Sequence, residues 1–200
     1  SPPNRAKMVT MRIISVDELG RLFASLQGKP RVVVSGNVAV PWPAVRILDA
    51  NKDEYTIHAL NAPPGIPARE GVSAETCFVG AGMRRHSNLS YVPSRLSLVP
   101  VLLQRRIPAD VVIIHCAPPR DGQLSLGIEV NILPAAIEGC RMRSGRVVAV
   151  INDQMPYTFG DGELSVDDVD LAIEGDATLP SPAAGAPDEV SSAIAERVSG

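Results

Sequence analysis

Hydrophobic positions along the chain fall into short, dense runs separated by polar stretches that carry proline and glycine. Residues 31–35 (RVVVS), 55–60 (YTIHAL), 111–116 (VVIIHC), 146–151 (RVVAVI) and 171–174 (LAIE) are apolar runs of strand length, the pattern of strands buried on both faces. A further short strand is expected at 76–79, and NAPPGIP reads as a rigid loop without a helix. Between the runs the spacing turns helical. Ser15 and Glu18 form a capping-box pattern ahead of Leu19, Leu22, Phe23 and Leu26, and Gly28-Lys29-Pro30 stops that helix. Pro43 suits the first position of a helix over 44–50. Ser94 caps a predicted helix through Leu96, Leu98, Val99 and Leu102, kinked at Pro100, and Asn131 caps another over 132–140. Strands alternating with helices predict an α/β fold, a mostly parallel sheet with helices on both faces.

The carboxyl end changes character. DATLPSPAAGAP is proline-rich and otherwise mostly small, and reads as a linker; beyond it, Val190, Ile194 and Val198 share one stripe of an amphipathic helix over 188–198. The expected organisation is an α/β domain over 12–176, a linker over 177–187, and over 188–200 the first helix of a truncated second domain. The alternative is a terminal helix that docks back on its own sheet.

Composition adds limits. Apolar residues make up 45% and charged residues 20%, enough for a sizeable core, which must be aliphatic because aromatics are only 4%. A net charge of −3 gives no reason to expect nucleic acid or an anionic membrane. No apolar run reaches the ~18 residues of a membrane span. Cys77, Cys116 and Cys140 have no metal-binding spacing and read as free thiols, so a cytoplasmic protein without a metal is expected.

Candidate chemistry is sparse. His58 and His115 lie inside strand runs and read as hydrogen-bonded core histidines, whereas His86, beside Arg84 and Arg85, is expected to be exposed. No GxSxG, HExxH, GxGxxG or Walker loop occurs, which argues against a self-contained hydrolase, metalloenzyme or nucleotidase. Between Arg84 and Arg106 stand five arginines and no acid, and between Asp161 and Asp176 seven acids and no base. Arg141, Arg143 and Arg146 form a second basic group. Solvated surface explains such runs; alternatively, one basic group meets the phosphates of a bulky anionic cofactor.

Loops at strand ends carry more. In open α/β sheets ligands bind beyond the carboxyl ends of the strands. GNVAVPWP places Gly36 and Asn37 there, INDQMP places Asn152 and Gln154, and the APPRDGQLSLG loop places Ser125 between glycines. These groups bind and orient; none is a strong nucleophile by itself.

In order, RVVVSGNVAVPWPAV, YTIHALN, VGAGMRR, YVPSRLSLVPVLL, PADVVIIHCAPPRDGQLSLGIEVN and VVAVINDQMPYTFGDGELSVDDVDLAIEGD resemble the amino-terminal domain of the acetyl-CoA hydrolase/4-hydroxybutyrate CoA-transferase family. The resemblance runs from about residue 16 to the chain end. It implies a Rossmann-like α/β/α fold, the first of two related halves, with the active site in the cleft between them. It also implies exchange of coenzyme A between an acyl-CoA and a small carboxylic acid through a glutamyl-CoA thioester. The family's nucleophilic glutamate belongs to the second half, so none of the ten glutamates here is assigned that role and no catalytic residue is expected in this chain.

Carried over position by position, Gly36, Asn37, Asn61, Asn152 and Gln154 are the implied substrate-binding residues, and Ser125 and Gly127 shape a loop. Arg84 is implied to be an ion-pair residue between the halves. Where the family often has a histidine after the glycine, this chain has Asn37. The partners implied are acyl-CoA, a small carboxylate, the absent carboxyl-terminal half and further copies in a homo-oligomer. An acyl-CoA hydrolase, or a non-catalytic binding or assembly module of the same fold, is the alternative.

Overall fold

The computed structural model describes residues 11–180 and 188–199. Its elements are β1 (Arg12–Ile13), α1 (Val16–Ser25), β2 (Arg31–Val34), α2 (Trp42–Asn51), β3 (Tyr55–His58), β4 (Val72–Thr76), β5 (Leu89–Tyr91), α3 (Val99–Arg105), β6 (Val111–Arg120), β7 (Gln123–Ser125), α4 (Leu133–Met142), β8 (Arg146–Ile151), β9 (Glu163–Ser165), β10 (Leu171–Glu174) and α5 (Glu189–Ser199). Eight strands form one sheet in the order β1-β10-β8-β6-β2-β3-β4-β5. Every neighbouring pair in that order is parallel.

The apolar runs explain the layering. Successive residues of a strand face opposite sides, so an uninterrupted aliphatic run feeds two cores at once. Val32, Val34, Ile113, Val148 and Val150 pack with Leu19 and Phe23 of α1 and Val45 and Leu48 of α2. Val33, Val112, Ile114, Val147 and Ala149 pack on the other face with Val99 and Leu103 of α3 and Leu133 and Ala136 of α4. The parallel sheet with helices on both faces is therefore as expected. At the head of α1, Ser15 Oγ accepts the Glu18 amide at 3.2 Å and Glu18 Oε2 accepts the Ser15 amide at 3.1 Å, closing the capping box.

Several local expectations need correction. The strand placed at 76–79 lies earlier, at Val72–Thr76. Thr76 Oγ1 accepts the Phe78 amide at 3.0 Å and turns the chain out of the sheet. Pro100 does not kink a helix; it stands in the first turn of α3, where its missing N–H costs nothing, and a 3-10 turn at Leu96–Leu98 precedes it. Ser94 caps nothing, since its hydroxyl donates to Arg95 O. Asn131 is no N-cap, because Ile132 holds that position and Asn131 Oδ1 accepts the Ile132 amide instead. Pro43 lies inside the first turn of α2, with Pro41 as the cap residue.

The strand at 111–116 runs on to Arg120, and the Pro-Pro…Asp-Gly segment is a β-hairpin. Asp121 (φ 50°) and Gly122 (φ 76°) make its two-residue turn, the conformation that suits the twist of paired strands. β7 then pairs antiparallel with β9.

In α5, Asp188 Oδ1 accepts the Ser191 amide at 2.7 Å, and the Val190, Ile194 and Val198 stripe faces solvent. Docking of this stripe on the sheet is not what the structure shows. Residues 181–187 of the expected linker lie outside the described residues.

From β2 the chain steps outward through β3, β4 and β5, then returns to the other side of β2 for β6. The strand order thus reverses between β2 and β6, and the crevice beyond their carboxyl ends is the place for a ligand.

Candidate functional site

At that reversal the turns leaving β2 and β3 pack against each other. A Cβ on Gly36 would stand 2.1 Å from Leu60 O, a separation no side chain tolerates, so only glycine allows the contact. The Asn37 amide donates to Leu60 O at 3.2 Å. Asn37 (φ 45°) and Asn61 (φ 46°) both adopt the left-handed conformation, which asparagine tolerates better than most residues.

The result is a chain of hydrogen bonds. Asn61 Nδ2 donates to Asn37 Oδ1 at 2.7 Å, and Asn37 Nδ2 donates to Glu129 Oε2 at 2.7 Å. Asn131 Nδ2 donates to the other Glu129 oxygen. Asn61 is exposed and Glu129 is only 5% exposed. Burial raises the Glu129 carboxyl above its ordinary value, and the amides of Asn37 and Asn131 offset only part of that.

A second chain links the β2 and β8 loops. His115 Nδ1 donates to Ala39 O at 3.3 Å, and its Nε2 accepts from Asn152 Nδ2 at 2.9 Å. Burial lowers the His115 pKa, in keeping with a neutral ring that donates on one side and accepts on the other. Asn152 Nδ2 also donates to Ala177 O at 2.6 Å, while its Oδ1 accepts the Gln154 amide at 2.9 Å. The Asn152 side chain is thus fully engaged inside the wall. The Gln154 side chain is exposed and makes no hydrogen bond among the described residues. Beside it, Pro118, Pro119, Ile151, Asp153 and Gly175 line an open depression.

Ser125 Oγ donates to Thr158 O at 2.7 Å and accepts the Thr158 amide at 2.8 Å, tying the β7 end to the loop after β8. At Gly127 (φ 61°) a Cβ would meet Met155 Sδ at 2.2 Å, so glycine lets the same two loops close on each other.

The structure therefore brings Gly36, Asn37 and Asn61 together. It sets Asn152 and Gln154 on the neighbouring β8 loop and joins the two groups through His115. Glu129 and Asn131 join the first group, and sequence reasoning missed both as members of the site. Only a capping role was drawn from Asn131, and none from Glu129.

His86 is buried, contrary to expectation; its Nε2 bonds Pro67 O at 2.9 Å and its Nδ1 accepts the Asn88 amide at 3.1 Å. Arg84 is exposed and has no ion pair among the described residues. In the second basic group, Arg141 and Arg146 face Asp168 (3.7 Å) and Asp170 (3.9 Å) of the acidic run, which leaves them less suited to phosphate. The three cysteines are buried and unpaired. Burial pushes the thiol of Cys116 up to about 12. Among the described residues no group of three or more His, Cys, Asp or Glu side chains is placed to hold a metal, and no helix is long and apolar enough to cross a membrane.

A parallel sheet covered on both faces, with its polar groups gathered at the strand-order reversal, places this chain among α/β proteins of CoA-transferase-like fold. RipA from Yersinia pestis superposes with a TM-score of 0.74 at 19% identity, over 89% of this chain and 46% of that one. A 4-hydroxybutyrate CoA-transferase from Porphyromonas gingivalis gives 0.62 at 21%, over 88% and 42%. The chain belongs to the acetyl-CoA hydrolase/transferase family, whose N-terminal domain pattern matches residues 68–183.

Among curated relatives, it is 28% identical over 172 residues to the 4-hydroxybutyrate coenzyme A transferase of Clostridium kluyveri, covering 80% of this chain and 39% of that protein. It is 26% identical over 193 residues to the succinyl-CoA:acetate/propanoyl-CoA:succinate CoA transferase of Fasciola hepatica, covering 88% and 40%. The chain spans about two fifths of the length of these relatives.

Proposed function

We propose that this chain is the amino-terminal half of a cytoplasmic CoA-transferase that moves CoA between an acyl-CoA and a small carboxylic acid. On this reading a glutamate in a carboxyl-terminal half, outside this chain, attacks the thioester and releases CoA thiolate, giving an acyl-glutamyl anhydride. The thiolate then attacks the glutamyl carbonyl, expels the carboxylate and leaves a glutamyl-CoA thioester; the acceptor acid runs the steps in reverse. The exposed amides of Asn61 and Gln154 orient the acyl or carboxylate group, Gly36 and Asn37 hold Asn61 in place, and Asn152 stiffens the opposite wall.

One observation carries the reading: in a chain whose residues 68–183 match the family, the carboxamides of Asn37 and Asn61 meet at the strand-order reversal. Glu129 does not serve as the nucleophile here, because it is buried and both of its oxygens accept hydrogen bonds. The relatives' names support transfer over hydrolysis.

The test is CoA exchange from acetyl-CoA to butyrate, succinate or 4-hydroxybutyrate. The full-length protein should exchange CoA and be labelled by borohydride or hydroxylamine in the presence of acyl-CoA, and the 200-residue chain should do neither. Comparable turnover by the short chain would refute the proposal. Thiol release at a rate that acceptor acids do not raise would make the protein a hydrolase instead.

A further inference from the structure

Glu129 has no task in this scheme, yet it is a buried carboxylate at the mouth of the proposed cleft. We infer that Glu129 is a positioning residue for transfer: through Asn37 it fixes which end of the Asn61 carboxamide faces the acyl or carboxylate group. The inference rests on the transferase reading and adds a residue to its site.

The argument is one of hydrogen-bond polarity. A carboxamide looks nearly the same to its neighbours either way round, so its orientation is set by what its two ends must satisfy. The Ile132 amide can only donate, so it holds Asn131 Oδ1 and turns the Asn131 NH2 toward Glu129. Both Glu129 oxygens act as acceptors here, Oε1 toward Asn131, so Asn37 presents Nδ2 to Oε2, at 2.7 Å. The Asn37 oxygen then faces Asn61 and requires Nδ2 there, also at 2.7 Å. Each amide in the series has one permitted orientation, and Glu129 is the group that sets the last two. Asn61 is left with its Oδ1 and one amide hydrogen for a ligand.

Glutamine at 129 has the same shape and reverses this order. Its Oε1 must face the fixed Asn131 NH2, so its Nε2 faces Asn37. Asn37 turns over to accept, and Asn61 turns over after it. The fold is kept while donors and acceptors at the mouth are exchanged.

The experiment compares full-length wild type, Glu129→Gln, Asn61→Ala and the double variant in CoA exchange. Each single variant is expected to lose about tenfold or more in kcat/KM, chiefly through KM for the carboxylate, with Glu129→Gln folded as wild type is. The double variant is expected to lose no more than Asn61→Ala alone, since Glu129 acts through Asn61. Kinetics of Glu129→Gln within twofold of wild type, or losses that multiply in the double variant, would overturn the inference.

Should Glu129→Gln fail to fold, NMR of the unsubstituted protein decides. Two resolved, slowly exchanging Asn37 side-chain amide protons support a fixed orientation, and averaged or fast-exchanging ones overturn it. Absence of CoA exchange in wild type counts against the transferase reading, while the NMR result still judges the amide order.

Discussion

Two buried glutamates in this domain have opposite surroundings. Glu75, within β4, lies between the Arg31 guanidinium, with Nε at 3.0 Å and a second bond at 3.2 Å, and the His58 ring, with Nδ1 at 3.0 Å. Glu129, at the carboxyl rim, meets only neutral amides. Burial would raise both carboxyls. At Glu75 the hydrogen bonds from His58 and Arg31 and their charge prevail and lower it, whereas at Glu129 burial prevails and raises it. A carboxylate placed to hold strands together is given opposite charge. One left with neutral partners next to a binding crevice is a candidate for function.

The contrast can be broken most severely at Gly36. Gly36→Ala forces a side chain into Leu60 O and should cost about 3 kcal/mol in urea unfolding, opening the amide chain while Glu75 keeps its partners. Next comes Glu75→Ala, which strands a buried His58 and a partly solvated Arg31. A loss of about 2 kcal/mol is expected by the same measurement, with the amide chain intact. Glu129→Gln should cost less than about 1 kcal/mol, because the new amide can hydrogen-bond the two neighbouring amides in place of the carboxylate and no charge is orphaned; a loss as large as that of Glu75→Ala would erase the distinction.

The smallest effect sharpens the comparison through pH. A lowered folded-state pKa at Glu75 stabilises the protein above the ordinary glutamate value, and that gain is lost as pH falls through the folded value. A raised pKa at Glu129 acts in reverse: its contribution is present at low pH and lost as pH rises through the folded value. Thermal melts between pH 4 and 7 should therefore show the advantage of wild type over Glu75→Gln growing with pH, and its standing against Glu129→Gln declining.

Much of the sheet was legible because RVVVS, VVIIHC and RVVAVI are aliphatic throughout and can only be buried on both sides. β5 was not: Leu89–Tyr91 is three residues with two exposed, and it is a strand only because β4 offers it an edge. The hairpin after β6 was marked by Asp121-Gly122, a turn signal that the flanking prolines obscured. His86 was misjudged from its arginine neighbours, although the Pro67 carbonyl that binds it lies far back in sequence. In the candidate site, Gly36, Asn37 and Asn61 follow strands directly and could be picked out by position. Glu129 could not, because its burial depends on loops from β2 and β7 meeting in space, and nothing local in IEVN carries that information.

The pairing of β1 with β10 bears on biosynthesis. Arg12 leaves the ribosome ahead of Leu171, its neighbour in the sheet, which follows about 160 residues later, a delay of roughly ten to thirty seconds at usual elongation rates. Throughout that interval β1 lacks the strand it pairs with, and this seam of the sheet is closed by a segment made long before its neighbour.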